Sequence, residues 1–319
     1  MTQSTLTWLV ESEYPWIRFL TMKDLLECPH DNPELLAAHR DMVKHPLVMT
    51  LIDECRTWHE TPLKNHKAAV HPLHKIVLLA DLGLQADDDI RETIENILSQ
   101  QDDSGSFRSL LLIPKVFGGS NLPEWVWMLC DAPSLLYALS LFGLAEEEAV
   151  RAAVEHLASL VEDTGWRCVG SIPKFRGPGK KDDPCPYANL IAMKALSLFP
   201  EYRDSAPCRA GAEMLLHHWE IRKECKYYLF GMGTDFRRIK FPMVWYDLLH
   251  VVDVLSRFSW VIEDKRFVEM FELLLSKADT EGRFTPESVW MAFKGFDFAQ
   301  KKIPSPTLTL MVERIKKRL

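Results

Sequence analysis

Apolar residues recur along this chain in two alternating kinds of segment, and both have the spacing of a helix. In the first kind they fall at every third or fourth position, as in IRETIENIL, VRAAVEHLASLV and FVEMFELLL. Segments of the second kind are apolar on nearly all sides and cover about residues 71–84, 131–144, 187–199 and 245–258. Strand-like alternation is essentially absent. The pattern therefore predicts an all-α fold, in which amphipathic outer helices alternate with buried inner helices.

A repeat organises these helices. Turns with acidic residues, a glycine and an aromatic follow the amphipathic helices at Gly105, Gly165 and Gly282, spaced by about one and two periods of roughly sixty residues. One further copy of the turn is expected between Gly165 and Gly282, around Tyr227, and it lacks the glycine. Because each helical hairpin buries its apolar face only against its neighbours, we predict a single domain. It has N-terminal helices at 1–64, repeats at 65–300 and a C-terminal helix at 301–319.

Composition narrows the function classes. The net charge of −7 argues against a nucleic-acid partner. Seven cysteines without a CxxC pair favour a reducing compartment, so we predict a cytoplasmic protein. No run approaches the roughly 18 apolar residues of a membrane span, which predicts no transmembrane segment. The N-terminus lacks the basic and apolar regions of a signal peptide.

Polar side chains stand at the starts of the inner helices. Aligning these helices on their C-terminal turns puts His71, Asp131, Tyr187 and Asp247 at nearly equivalent positions. Such residues on apolar helices either form a site or cap the helices and bond to loop backbone. On the first interpretation, Asp131, Asp247, His71 and the neighbouring Tyr246 are candidate catalytic residues.

Long loops containing proline and glycine all lie on one side of the repeat, and they are basic. They supply cations that predict an anionic ligand such as phosphate, because cationic clefts attract opposite charge. The alternative is a solvated loop whose cations pair with nearby acids. Two aromatic residues, Trp245 and Tyr187, could line a cavity for a hydrophobic small molecule. The predicted ligand-binding set is Lys174, Arg176, Arg237, Arg238, Lys240, Trp245 and Tyr187.

The turn segments 97–107, 157–166 and 273–284 resemble the repeat of the prenyltransferase and squalene-cyclase superfamily. That resemblance implies an α/α toroid whose central cavity binds a phosphate, diphosphate or isoprenoid-like substrate, with transferase or cyclase chemistry. The superfamily also includes non-enzymes, so the alternative is a non-catalytic toroid that binds a peptide, a lipid or a partner protein.

The resemblance also implies a zinc site. Asp183 and Cys185 are similar to the aspartate-x-cysteine pair with which protein prenyltransferases bind zinc, and the third ligand there is a histidine on the next inner helix. Here Asp247 lies at about the expected distance and His250 one helical turn further. The predicted ligands are therefore Asp183, Cys185 and His250, which leave one tetrahedral position for a substrate thiolate. The alternative is a proline-started helix capped by Asp183.

Overall fold

The fold is all-α apart from one two-stranded sheet. The computed structural model describes residues 2–173, 175, 177, 179 and 182–319. Within these ranges the helices are α1 (Gln3–Val10), α2 (Pro15–Leu20), α3 (Pro33–Val43), α4 (Pro46–Arg56), α5 (Pro72–Leu82), α6 (Arg91–Leu98), α7 (Ala132–Leu139), α8 (Glu148–Ser159), α9 (Pro186–Leu196), α10 (Ala206–Glu220), α11 (Thr234–Arg237), α12 (Leu248–Leu255), α13 (Lys265–Leu275) and α14 (Pro306–Arg318). The strands are β1 (Ser109–Leu112) and β2 (Pro123–Val126). The predicted fold class is confirmed.

The chain divides into two compact units. Unit 1 comprises Met1–Leu51 and Thr234–Leu319, and unit 2 comprises Ile52–Gly233. Helices α5 to α10 and the sheet belong to unit 2, whereas α1 to α3 and α11 to α14 belong to unit 1. The toroidal closure and the single domain remain predictions.

The inner helices are buried along nearly their whole length, as their composition predicts. Every residue of α9 and of α12 is buried, and α5 has Val77 as its one residue that is not. Prolines stand at their starts in unit 2, with Pro72 and Pro186 opening α5 and α9. Proline is favoured at this position because N–H groups in the first turn have no hydrogen-bond partner within the helix. The N–H that proline lacks is therefore not needed. Gly83 then ends α5 with a φ of 97°, a left-handed conformation that favours glycine.

The outer helices bury one face only. In α8 the buried residues are Val150, Ala153, Val154 and Leu157, which follow the i, i+3, i+4, i+7 spacing. In unit 1, α13 buries Phe267, Met270 and Leu274 in the same way. The sequence pattern therefore separates inner from outer helices correctly.

The glycine turns form as the repeat predicts. Gly105, Gly165 and Gly282 all have positive φ, between 79° and 97°, and each turn is closed by an isolated antiparallel bridge. The copy without glycine is closed by the bridge Tyr227↔Phe230, and Tyr228 takes the positive φ of 53° there. A residue other than glycine is strained at positive φ, so Tyr228 distinguishes this copy from the three copies that carry glycine.

The small sheet departs from the sequence-based expectation. Strands β1 and β2 pair antiparallel inside a long loop of unit 2, with Ser109 opposite Val126. Leu63 extends the pairing, since its N–H donates to the carbonyl of Leu110 (2.8 Å). The segment SLLL has no alternation of apolar and polar residues, so its sequence does not predict a strand.

A buried polar cluster joins the inner helices of unit 2. Asp81 on α5 accepts a hydrogen bond from the Tyr137 hydroxyl on α7 (2.7 Å). Its other oxygen lies 3.5 Å from the ammonium of Lys194 on α9, which also stands 4.4 Å from the centre of the Tyr137 ring. All three side chains are buried, so the charges are compensated inside the protein rather than by water.

Across the described ranges, every helix is too short or too polar to cross a membrane.

Candidate metal centre

Three cysteines of unit 2 come together in space although they are far apart in the sequence. The Sγ atoms of Cys130, Cys168 and Cys185 all lie within 4.8 Å of one another, and those of Cys130 and Cys168 are 3.9 Å apart. Among the described residues this is the one group of three or more histidine, cysteine or acidic side chains with metal-ligand spacing. We call it the thiol cluster.

One backbone pairing brings Cys130 beside Cys168. The Leu129 N–H donates to the carbonyl of Val169 (3.0 Å), and the Ser171 N–H donates to the carbonyl of Trp127 (3.0 Å). The segment before α7 therefore runs antiparallel to the segment that follows the Gly165 turn. The cysteines lie directly next to these pairings, so their sulfurs reach the same place.

A second pairing brings Cys168 beside Cys185. Cys185 donates its N–H to the carbonyl of Trp166 (2.8 Å), and the bridge Arg167↔Pro184 continues the pairing. The side chain of Asn189 on α9 fixes it: its Oδ1 accepts from the Trp166 N–H (3.0 Å), and its Nδ2 donates to the carbonyls of Trp166 and Cys185 (both 2.8 Å). Each of these backbone groups is buried, so the amide satisfies donors and acceptors that water does not reach.

Glycines let the backbone approach the cluster closely. A Cβ on Gly170 would lie 2.2 Å from Sδ of Met128, and one on Gly177 would lie 3.0 Å from Sγ of Cys168. Both positions therefore need a residue without a side chain. Gly177 thus lies against a cysteine of the cluster, and Gly170 lies against Met128 in the segment that precedes Cys130.

The sulfur distances match a shared metal ion better than a disulfide. A disulfide places its sulfurs about 2.05 Å apart. Zinc with Zn–S bonds of about 2.3 Å and tetrahedral angles places them about 3.8 Å apart. The separation of 3.9 Å between Cys130 and Cys168 is close to the second value. All seven cysteines are free thiols, and the three of the cluster could hold a soft or borderline cation.

The thiols of the cluster are coupled. Hydrogen bonds from Cys130 and Cys168 lower the pKa of Cys185, whereas the hydrogen bond with Cys168 raises the pKa of Cys130. A lowered pKa favours the thiolate, the form in which cysteine binds metal. Cys185 is also the most buried of the three, with an exposed fraction of 2%, whereas Cys130 and Cys168 are half-buried.

Tyr228 lies beside the cluster. Its hydroxyl donates to the backbone carbonyl of Asp183 (2.8 Å). Burial raises the pKa of Tyr228, and the charge of Cys185 raises it further. The Tyr228 side chain therefore lies at the edge of the site in its uncharged form.

Asp131 directly precedes α7 and lies near His66, whereas His71 and His74 lie at the start of α5. Asp131 is fully buried, and its Oδ1 accepts from the Met128 N–H (3.0 Å). Its Oδ2 lies 3.5 Å from Nε2 of His66 and makes no hydrogen bond to a described residue. His71 caps α5 through its Nδ1, which accepts from the Leu73 N–H, while its Nε2 contacts the carbonyl of Thr61 (2.9 Å). His74 contacts the carbonyl of His66 through its Nε2 (2.8 Å), and burial lowers its pKa to about 3.

Three of the predicted residues in unit 1, Asp247, His250 and Lys240, are buried near one another. Asp247 caps α12 by accepting from the His250 N–H (3.1 Å), and His250 Nδ1 contacts the carbonyl of Trp245 (2.8 Å). The second oxygen of Asp247 is 3.9 Å from the ammonium of Lys240, which lies 5.2 Å from the centre of the Trp290 ring. Burial raises the pKa of Asp247 to about 7, against the opposing effect of Lys240.

The remaining predicted residues are dispersed. Tyr246 packs its ring 5.4 Å from that of Phe236 in unit 1, and Tyr187 stacks on Phe230 in unit 2 at 6.5 Å. Arg237 and Arg238 are exposed, in contrast to Lys240. Lys174 and Arg176 lie outside the described residues. The capping interpretation is thus confirmed for His71 and Asp247, and the catalytic and ligand roles remain predictions.

The metal prediction from the sequence shares one residue with the thiol cluster. Cys185 belongs to both, whereas Asp183 and His250 are not members of the group that the structure brings together. Sequence reasoning missed Cys130 and Cys168 as ligands. One signal pointed to them: Cys130 directly precedes Asp131, and Cys168 follows the aromatic of the Gly165 turn by two residues.

The sequence matches no protein-family model and no curated protein.

Proposed function

We propose that this chain is a zinc protein in which the thiolates of Cys130, Cys168 and Cys185 hold the ion and a substrate thiol takes the fourth position. The observation that carries the proposal is the mutual approach of the three sulfurs within 4.8 Å. Their separation suits tetrahedral zinc. A reducing compartment, for which the free cysteines argue, keeps the thiols available, and we place the protein in the cytoplasm on that ground.

Three protein ligands favour a reactive site over a purely structural one. Structural zinc sites are closed by four protein side chains, whereas catalytic sites keep one position for water or substrate. In the described ranges the cluster has three members, which leaves the fourth position of a tetrahedral ion for water or a substrate.

The donor set favours a thiol over water as the reacting ligand. Three thiolates together carry more negative charge than a zinc ion carries positive charge. The ion therefore polarises a bound oxygen less strongly. A soft ligand such as sulfur remains favourable at such a site. Zinc would hold the substrate sulfur as a thiolate, which is the nucleophilic form, and release its proton.

We infer the electrophile of the proposed reaction from the resemblance of the turn segments to the prenyltransferase repeat. An isoprenoid diphosphate would accept the sulfur at its terminal carbon, so that a sulfur–carbon bond forms as the carbon–oxygen bond to diphosphate breaks. The leaving diphosphate keeps the electron pair of that bond. The protein would then be a transferase of the prenyltransferase-like class.

Metal analysis of the purified protein tests the proposal. We expect one zinc per chain in the wild type and its loss in Cys130→Ser, Cys168→Ser and Cys185→Ser. Cys208→Ser is the matched control, because Cys208 is buried in α10 of the same unit and is not a member of the cluster. Equal zinc content in all five proteins, or no zinc in the wild type, would contradict the proposal.

A second measurement separates a reactive site from a structural one. Cobalt substituted for zinc absorbs visible light with a spectrum that reports its ligands. We expect a small thiol to change the spectrum of the cobalt protein in a saturable way. An unchanged spectrum would favour a structural metal that only joins the loops around Cys130, Cys168 and Cys185, and with it the non-catalytic alternative of a protein that binds a peptide, a lipid or a partner protein.

A further inference from the structure

Cys130 and Cys168 lie side by side at the end of a backbone pairing, so they form a pair within the thiol cluster. The hydrogen bond from the Leu129 N–H to the Val169 carbonyl (3.0 Å) holds the two segments together. One residue further along each segment stand Cys130 and Cys168, and their sulfurs lie 3.9 Å apart. The fold therefore keeps two thiols in contact that are 38 residues apart in the sequence.

These two sulfurs are near enough to be joined by rotation of the side chains. A disulfide bond is about 2.05 Å long, so the sulfurs must approach by about 1.9 Å from their separation of 3.9 Å. A change of χ1 between staggered rotamers moves Sγ by about 3 Å, which is more than this difference. The backbone hydrogen bond beside the pair can therefore stay in place while the disulfide forms.

The third cysteine, Cys185, is placed differently from this pair. The bridge Arg167↔Pro184 makes Asp183 the residue across from Cys168, so Cys185 is a diagonal neighbour of Cys168. Diagonal neighbours on antiparallel segments are about 7–8 Å apart, whereas a disulfide spans Cα atoms about 4.4–6.8 Å apart. Cys185 also has an exposed fraction of only 2%, whereas Cys130 and Cys168 are half-buried. This arrangement favours a disulfide between Cys130 and Cys168 and leaves Cys185 as a thiol.

We propose that Cys130 and Cys168 form a site of reversible oxidation, at which a hydroperoxide converts the two thiolates to a disulfide and thereby releases the metal. The release of zinc rests on the proposed function of the thiol cluster. Cysteine binds metal as a thiolate, and the disulfide leaves Cys185 as the one thiolate of the three. The chain then loses its metal, and the activity that depends on the metal, when peroxide is present.

The reaction balances with hydrogen peroxide as the oxidant. One thiolate of the pair attacks a peroxide oxygen, so that a sulfur–oxygen bond forms while the oxygen–oxygen bond breaks and hydroxide leaves. The second thiolate attacks the sulfur of the resulting sulfenic acid, and a sulfur–sulfur bond replaces the sulfur–oxygen bond as a second hydroxide leaves. Two protons from solvent convert the hydroxides to water, and the two electrons that the peroxide gains come from the two sulfurs. A thiol reductant reverses the change by thiol–disulfide exchange.

Peroxide treatment of the zinc-loaded wild-type protein tests the inference with two readouts. Mass spectrometry of the digested protein, with its free thiols alkylated, identifies the linked cysteines, and a chromogenic chelator measures the released zinc. We expect a disulfide between Cys130 and Cys168, with one zinc ion released for each disulfide formed. Dithiothreitol should restore both thiols and the bound zinc. Protein kept without peroxide shows how much zinc the chelator removes by itself.

Two variants separate the reactive pair from the metal. Cys185→Ser removes a predicted zinc ligand but keeps the pair, so it should still form the disulfide between Cys130 and Cys168. Cys208→Ser is the matched control, because Cys208 is buried in α10 and is not a member of the cluster. It should behave as the wild type does in both readouts.

The outcomes separate this inference from the proposed function. If the wild type holds zinc but peroxide leaves Cys130 and Cys168 unlinked, oxidises them to sulfinic acids or links one of them to Cys185, the inference is wrong and the zinc function stands. Retention of zinc after the disulfide has formed would also overturn it. If the wild type holds no zinc, the proposed function fails and the release of metal fails with it, whereas a disulfide between Cys130 and Cys168 would still support the reactive pair.

Discussion

The side chain of Asn189 forms hydrogen bonds with both the backbone N–H and the backbone carbonyl of Trp166. Its Oδ1 accepts from the Trp166 N–H at 3.0 Å, and its Nδ2 donates to the Trp166 carbonyl at 2.8 Å. The same Nδ2 also donates to the carbonyl of Cys185 (2.8 Å). One amide on α9 therefore sets the distance between the strand-like segment that carries Cys168 and the start of the helix that follows Cys185.

Removing this amide should weaken both the fold and the metal site. Asn189→Ala deletes three hydrogen bonds to buried groups, so we expect a loss of about 2–4 kcal/mol in the free energy of unfolding. Zinc affinity should fall as well, because the segments that carry Cys168 and Cys185 are no longer held in register. Denaturant unfolding and metal titration measure the two effects. In the control Asn96→Ala only a long contact of 3.5 Å to His59 is lost, so both values should stay near wild type. Unchanged zinc affinity in Asn189→Ala would argue against this role.

The glycine turns allow backbone strain to be separated from steric clash. Gly165 has a φ of 97°, and a Cβ there would lie 2.3 Å from Oδ1 of Asn189. Gly282 has a φ of 79°, but a Cβ there would meet nothing within 4 Å. We therefore expect Gly282→Ala to cost about 1 kcal/mol from strain alone, and Gly165→Ala to cost about 2 kcal/mol or more.

Gly233→Ala is the control for this pair, because Gly233 lacks a positive φ and has open space around it. Its stability should stay within about 0.5 kcal/mol of wild type. Denaturant unfolding measures all three variants. An equal loss in Gly165→Ala and Gly282→Ala would show that the contact with Asn189 does not constrain the turn.

The sequence predicts the helices and these turns because both depend on local patterns. The spacing of Val150, Ala153, Val154 and Leu157 is enough to predict an outer helix, and the acidic turn is enough to place Gly165. The thiol cluster could not be predicted in the same way. Cys130 meets Cys168 through the pairing of two irregular loops, and loop pairing leaves no periodic signal in a single sequence. The resemblance led instead to Asp183 and His250, neither of which is a member of the thiol cluster.

Asp247 predicts a pH dependence of stability in unit 1. Burial raises the pKa of its carboxyl from 3.8 to about 7 in the folded protein. The folded state therefore binds this proton more tightly than the unfolded state. Its contribution to stability is fully present below about pH 4 and is lost as the pH rises through about 7. The slope in this window is at most on the order of 1 kcal/mol per pH unit.

Asp247→Asn should remove this part of the pH dependence, since asparagine keeps the acceptor for the His250 N–H but cannot ionise. Urea unfolding between about pH 4 and 8 compares the two proteins across this window. We expect the stability difference, variant minus wild type, to increase with pH up to about 7 and then to level off. A difference that stays constant across the range would contradict the raised pKa.

The buried cluster on α5, α7 and α9 predicts strong coupling between two charges. Lys194→Met leaves the carboxylate of Asp81 without its cation, which should cost about 3–5 kcal/mol. The double variant Asp81→Leu with Lys194→Met removes both charges and should recover much of that loss. Arg56 and Glu92 form an exposed pair in the same unit, and Arg56→Met should cost less than about 1 kcal/mol. Additive losses in the double variant at Asp81 and Lys194 would show that the two charges do not interact.

X-ray absorption at the zinc edge of the purified wild-type protein tests the central claim most directly, because it counts the atoms bound to the metal. We predict three sulfur ligands at about 2.3 Å with one further ligand, and four sulfur ligands after a small thiol is added. A first shell made only of nitrogen and oxygen, or a protein without zinc, would contradict the assignment of the metal to Cys130, Cys168 and Cys185.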